Sequence, residues 1–240
     1  MLNARVRALA KQCLPKILLR ALDPFDARVS DRLAAFVTSL PEHSLVLDAG
    51  AGQCRYASVF ARHRYVALDS AVGDASWDYS RLNVLGDLEQ LPIASMAFDA
   101  AVSIVVLEHV REPGEVLRET ARVLRPGGRF FLVAPSQWEI HQAPNDFFRF
   151  TRYGLEYLLV KSGFQVHRIE AVGGFFWLMS RRSFNLLTFF QGGMKWPVFV
   201  LLAPFLGFLF PVLFYWADRL NHHRELTLGY ICEASRLDTE

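Results

Sequence analysis

Two stretches of this 240-residue chain hold residue types at spacings that support chemistry. The first is Val46-Leu47-Asp48-Ala49-Gly50-Ala51-Gly52-Gln53-Cys54-Arg55, an apolar run that enters a turn with two glycines. Glycine admits positive φ and lets a ligand lie on bare backbone. A helix opening after such a turn would add free N–H donors. About twenty residues on, Asp69 ends a second apolar run, where a carboxylate suits a ribose diol. The second stretch runs from Pro135 to Thr151 and holds His141, Asp146, Arg149 and several aromatic residues. An imidazole with an ordinary pKa near 6.5 suits removal of a proton from an attacking hydroxyl. Asp146 would orient it, and Arg149 would hold a phosphate or carboxylate. The alternative is that Asp146 and Arg149 pair with each other and brace the loop.

The glycine turn fits two ligand classes unequally. A dinucleotide fingerprint needs G-x-G-x-x-G, whose third glycine lets the helix approach the sheet. Arg55 stands at that position. S-adenosylmethionine has no pyrophosphate to cradle, so a glycine turn, a ribose acid and a clamp on the adenine suffice. Asp48-x-Gly50-x-Gly52 resembles motif I of the class I S-adenosylmethionine-dependent methyltransferases, with Cys54 where a third glycine is common. Gly86-Asp87-Leu88-Glu89-Gln90-Leu91-Pro92 resembles the same family's GDxxxLP stretch. Val106-Leu107-Glu108-His109-Val110 and Leu124-Arg125-Pro126-Gly127-Gly128 resemble the LEHV…LRPGG blocks of its ubiquinone/menaquinone-methyltransferase-like (type 11) subgroup. The resemblance covers about Leu45 to Val172 plus the last strand.

That resemblance implies S-adenosylmethionine as cofactor, held by Asp48, Gly50, Gly52, Asp69, Asp87, Leu88 and Ile104. The loop after strand five resembles an H-x-x-P-x-D-[YF]-x-R-[FY]-T pattern of methyltransferases with surface-polysaccharide and glycolipid functions, which makes it the acceptor lid, with His141, Asp146 and Arg149 as the catalytic group. Metal-dependent relatives carry ExxEH, and here Val105 occupies the first acidic position, so no metal is expected. Glu108 and His109 are then read as local capping groups at the helix edge. Methyl transfer from a sulfonium needs mainly alignment and exclusion of water. Two rivals stay open. One is a membrane-bound protein that keeps the fold without catalysis, and the other an NAD(P)-dependent enzyme.

The elements that must position these residues follow from hydrophobic patterning. Short near-continuous apolar runs at Ser44–Ala49, Tyr65–Asp69, Leu82–Gly86, Ala100–Val105 and Arg129–Ala134 read as strands covered on both faces. Arg55–Arg62, Pro113–Leu124 and Thr151–Ser162 read as helices between them, and Gln165–Val172 and Leu228–Ser235 as two more strands. The expected fold is α/β, a doubly wound seven-stranded sheet, mostly parallel with the last strand antiparallel. The chain divides into basic amphipathic N-terminal helices (1–40), a cofactor-binding core (41–172), an apolar helical insertion (173–224) and the last strand with the C-terminus (225–240).

Composition locates what is unusual. Hydrophobic residues make up 52 %, and half of the 20 Phe lie between Phe175 and Trp216. From Ser183 to Ala217 the only formal charge is Lys195. A net charge of +2 gives no basic face for nucleic acid. Three scattered cysteines support neither a disulfide framework nor a zinc cluster and fit a reducing compartment. Trp196–Ala217 is long enough for one span at about 20 residues, yet a single span strands the last β-strand on the far side. A re-entrant or in-plane hairpin broken near Pro204–Pro211 reconciles the two, with a single span or a self-burying apolar subdomain as alternatives. Five bases and no acid in the first 20 residues, with Leu2, Val6, Leu9, Cys13 and Ile17 on one face, supply a second membrane contact. The sequence therefore implies methylation of a lipid-linked or amphipathic acceptor at the cytoplasmic face of a membrane. A glycan or glycolipid oxygen is favoured over a quinone-type ring carbon, without nucleic acid as partner.

Overall fold

The structure is a computed structural model that describes residues 14–74 and 76–238. Most of the amphipathic N-terminal segment, residues 1–13, lies outside the described residues. Helix α1 spans Lys16–Leu22 and α2 spans Pro24–Thr38. Seven strands follow: β1 Leu45–Ala49, β2 Arg64–Asp69, β3 Val84–Leu85, β4 Phe98–Ile104, β5 Leu124–Pro135, β6 Phe164–Ala171 and β7 Gly229–Arg236. They form one sheet in the order β3-β2-β1-β4-β5-β7-β6. β1 pairs in parallel with β2 and β4, and β4 with β5, whereas β7 runs antiparallel to β5. The chain order reverses between β1 and β4, which opens a crevice at the carboxyl ends of these strands.

The central strands are apolar throughout because both faces are covered. Val46, Leu47, Ala100, Ala101, Val102, Phe131, Leu132 and Val133 are fully buried. Helix α3, Pro113–Val123, buries Val116, Leu117, Thr120 and Ala121, which fall on one face at helical spacing. Helix α4, Arg152–Lys161, starts at Thr151, whose hydroxyl accepts the Gly154 N–H at 3.1 Å. Phe36 meets Phe131 and Phe130 stacks on Phe164, with ring centroids 5.3 and 5.1 Å apart.

Three expectations are corrected. Arg55–Arg62 is not an α-helix but a run of turns with a short 3-10 segment at Ala57–Phe60. Gly50, Gly52 and Cys54 all adopt positive φ, so the chain cannot enter a regular helix there. It closes i→i+3 bonds instead, such as Cys54 N to Ala51 O at 2.8 Å. The third strand shrinks from Leu82–Gly86 to two residues at the sheet edge, where Leu85 is exposed. The strand expected over Arg129–Ala134 starts earlier, at Leu124, and takes in Pro126-Gly127-Gly128. Pairing there jumps from Phe98↔Leu124 to Ala100↔Arg129, with Gly127 at φ +71 taking up the slack.

The described residues divide into two compact units, 31–170 with 229–238, and 14–30 with 171–228. The second holds the apolar insertion as an antiparallel pair of helices. Helix α5 is Phe175–Thr188. A continuous helical run over Gly193–Leu220 contains α6 (Trp196–Pro204), a π-helical stretch (Phe205–Leu209) and α7 (Phe210–Ala217). The hairpin therefore turns at Gly192-Gly193, both with positive φ, and not at Pro204–Pro211. The prolines are absorbed because Pro211 lacks the N–H that an earlier carbonyl would need, and the Ser183 hydroxyl donates to Leu206 O at 2.8 Å. Trp177 stacks on Tyr215 at 5.7 Å, and Asp218 accepts the N–H of Gly174 at 3.0 Å. At the base, Thr227 Oγ1 donates to Val172 O at 3.0 Å and joins the two ends of the excursion.

Candidate active site

The expected cofactor residues collect at the carboxyl edge of the parallel strands. Asp48 lies within β1, Asp69 ends β2, Asp87 and Leu88 follow β3, and Ile104 ends β4. The glycine turn is tied to the next strand, with Gly50 N and Ala51 N both donating to Leu68 O at 2.8 and 3.0 Å. Gly50 has φ +88, and a Cβ there would meet the Val106 methyls at 2.5 Å. Gly52 has φ +50 and faces the Trp77 ring, which a Cβ would approach to 3.3 Å. Asp69 accepts the N–H groups of Gly52 and Ala71 at 2.9 and 2.8 Å, so one carboxylate organises both loops.

Asp48 is 4 % exposed and accepts the Tyr65 hydroxyl at 2.5 Å. Burial pushes its carboxyl up to about 6, against the Tyr65 hydrogen bond, with Asp69 adding to the rise. A buried carboxylate without a basic partner suits a cationic ligand. The loop carrying Asp87 and Leu88 is pinned to α3: Glu119 accepts Leu91 N at 2.8 Å, and Arg122 donates to Leu91 O and Ile93 O at 3.0 and 2.8 Å. Asp87 caps its own turn at Glu89 N, 2.9 Å away. The bare glycine backbone, the ribose-side carboxylate and the buried acid fit S-adenosylmethionine.

The lid residues also come together. Arg149 and Asp146 form a bidentate pair at 2.6 and 2.8 Å. Arg149 further donates to the carbonyls of Trp138, Glu139 and Phe148 at 3.2, 2.8 and 2.7 Å. Asp146 accepts His141 N at 2.8 Å, and its carboxyl is held down at about 2, chiefly by the Arg149 guanidinium. These contacts make Asp146 and Arg149 positioning residues that set the path of the loop around His141. Burial alone would lower the His141 pKa; the Glu108 carboxylate, the Glu139 carbonyl and Asp146 outweigh it and raise the pKa.

His141 lies against two residues that the sequence suggested only as capping groups. Its Nε2 is 3.1 Å from His109 Nε2 and 3.5 Å from Glu108 Oε1. Glu108 and His109 sit in the short helical turn Leu107–His109 just past β4, and His141 sits just past β5. Because β4 and β5 are adjacent parallel strands, residues at like offsets beyond their ends meet in space. That was the available sequence signal, and no local pattern carries it. Val106, which packs on Gly50, begins the same turn, so this cluster adjoins the glycine turn.

Residues 47–132 match the family described as Methyltransferase domain. Over those residues the chain is similar to class I, S-adenosylmethionine-dependent methyltransferase domains. It is 33 % identical over 98 residues to a probable S-adenosylmethionine-dependent methyltransferase of Mycolicibacterium smegmatis, covering 38 % of each chain. It is 31 % identical over 140 residues to the malonyl-acyl-carrier-protein O-methyltransferase of Herminiimonas arsenicoxydans, covering 55 % of this chain and 53 % of that one. The chain thus spans about half or less of the curated relatives it matches. Among solved structures, the (4+2)-cyclase SpnF superposes with TM-score 0.57 at 20 % identity, over 88 % of this chain and 80 % of that one, a likeness of fold. The matched residues span β1 to β5, which carry both the cofactor turn and the strand ends beneath the cluster.

Proposed function

We propose that the protein transfers the methyl group of S-adenosylmethionine to an oxygen atom of an amphipathic, lipid-linked acceptor, a glycan or glycolipid hydroxyl, at a membrane surface. The observation that carries the reaction type is the Glu108–His109–His141 cluster beside the cofactor turn. Two imidazoles and a carboxylate supply what an alcohol needs to become a nucleophile, whereas the cofactor supplies an electrophilic methyl on a sulfonium. Asp48, Gly50, Gly52, Asp69 and Asp87 bind and orient the donor. The cluster promotes loss of the proton from the acceptor oxygen, and the Asp146–Arg149 pair keeps His141 in register.

The lipid character of the acceptor rests on exposed apolar surface. The lid exposes Ile140, Phe147 and Phe148. In the other unit, the most apolar 18-residue stretch of the helical run Gly193–Leu220 has mean hydropathy 2.4 and is 6 % buried. Trp196, Val200, Leu201, Phe205, Leu213 and Trp216 all face outward. Exposed apolar area on this scale marks an interaction surface. Both ends of the excursion rejoin one sheet, at Ala171 and Gly229, so an odd number of crossings is excluded. The 14 residues of α5 reach about 21 Å, short of the roughly 30 Å core of a bilayer. The hairpin therefore supports an in-plane or re-entrant association with one leaflet, on the side where the catalytic unit lies.

The test is transfer of labelled methyl from S-adenosylmethionine into the organic phase of a membrane extract. Label in an alkali-stable methyl ether of a lipid, with stoichiometric S-adenosylhomocysteine, is the expected result. Label only in water-soluble products, or none, overturns the acceptor assignment.

A further inference from the structure

We infer that Glu108, His109 and His141 form a three-ligand site for a divalent transition metal of the zinc type, with one coordination position left open. The inference departs from the expectation of no metal, which rested on Val105. The missing acidic ligand is replaced from the neighbouring strand end by His141.

Three independent features point to a cation. The first is orientation. His109 Nδ1 lies 2.5 Å from the Asn145 carbonyl and His141 Nδ1 lies 3.2 Å from the Glu139 carbonyl. A carbonyl only accepts, so both Nδ1 atoms carry hydrogen, and with both rings neutral each Nε2 presents a lone pair. Those lone pairs face each other at 3.1 Å. The backing of each ligating imidazole by a carbonyl is the usual outer shell of a metal-bound histidine.

The second feature is the carboxylate. Glu108 is 0 % exposed, and neither of its oxygens has a hydrogen-bond partner. Its Oε1 stands 3.6 Å from His109 Nε2 and 3.5 Å from His141 Nε2, aimed into the gap between the rings. A buried carboxylate facing the lone pairs of two neutral imidazoles is repulsive, and a cation among the three atoms removes the conflict.

The third feature is size. Zinc binds imidazole nitrogen and carboxylate oxygen at about 2.0–2.2 Å, which in a tetrahedron sets neighbouring donors about 3.3 Å apart. The three donor separations, 3.1, 3.5 and 3.6 Å, bracket that value. Three protein ligands and an open position are the pattern of catalytic rather than structural zinc. The open position suits an oxygen ligand, water or the acceptor hydroxyl. A hydroxyl bound there loses its proton to solvent more readily, and the oxygen keeps the electron pair that forms the new bond to the methyl carbon. This catalytic role rests on the proposed methyl transfer to oxygen; the binding of the metal does not.

The experiment is titration of chelator-stripped, dialysed full-length protein with Co2+ followed by visible absorption, and with Zn2+ by calorimetry. One equivalent of Co2+ with the intense bands of low coordination is expected. Glu108→Gln, which keeps the side-chain shape, weakens the affinity at least tenfold, and His141→Ala and His109→Ala abolish the bands. Circular dichroism and binding of S-adenosylmethionine remain as in the parent. No stoichiometric Co2+ or Zn2+ binding, or equal binding by all three variants, overturns the site and leaves a proton as the shared cation. Methyl transfer that proceeds in protein without bound metal overturns the metal's catalytic role alone. Metal binding without any binding of S-adenosylmethionine contradicts the methyltransferase reading and leaves the metal site standing.

Discussion

Buried charge sets the behaviour of this protein at the scale of single residues. Asp48 holds a proton up to about pH 6 in the folded chain against 3.8 in the unfolded one. The folded state therefore binds more protons between those values, and stability is lost as pH rises through them; the full cost is present above about 6. Asp48→Asn removes that cost and still accepts from the Tyr65 hydroxyl. It is expected to raise stability by about 2–3 kcal/mol at pH 8, with the gain shrinking toward pH 4, read as urea midpoints across pH. Gly50 permits the opposite test. Its φ of +88 and the Val106 methyls at 2.5 Å from a Cβ leave no room for a side chain. Gly50→Ala should cost about 1–3 kcal/mol in thermal unfolding and weaken cofactor binding. Of the residue-scale picture, the sequence reveals Asp48, Gly50, Gly52 and Asp69, because a strand–turn motif is local. It does not reveal that Tyr65 reaches Asp48, nor that His109 meets His141, since these depend on which strands become neighbours.

Elements carry the site because loops leave adjacent strands at one edge. Within the segment Pro135–Thr151, Arg149 joins Asp146 and three backbone carbonyls. Arg149→Met leaves the Asp146 carboxylate, 2 % exposed, without its guanidinium. Faster proteolytic cleavage between residues 136 and 149 is expected, with turnover reduced more than cofactor affinity; unchanged cleavage would show that the loop is braced elsewhere. In the hairpin, Ser183→Ala leaves the Leu206 carbonyl without its hydroxyl donor and should cost about 1 kcal/mol in thermal stability. Strand periodicity was readable because these strands are covered on both faces. The helix expected over Arg55–Arg62 failed because three left-handed residues precede it, a conformation that Cys54 does not announce. The hairpin turn was misplaced at the prolines because a proline can be accommodated when a neighbouring helix offers a hydroxyl to the freed carbonyl.

For the molecule as a whole, an apolar excess that looked general in composition belongs to one excursion between β6 and β7. The seven-stranded sheet is complete without any residue of it. Replacing outward-facing Leu201, Phe208 and Leu213 together by Glu should leave the unfolding transition intact and abolish flotation with anionic vesicles. Retained flotation would move the membrane contact away from this helix. The central claim is a methyl-donor site at the reversal of strand order between β1 and β4, and calorimetric titration with S-adenosylmethionine tests it most directly. The account predicts one molecule bound per chain, with binding abolished in Asp69→Ala and retained in His141→Ala. No binding by the parent protein, or undiminished binding by Asp69→Ala, would contradict it.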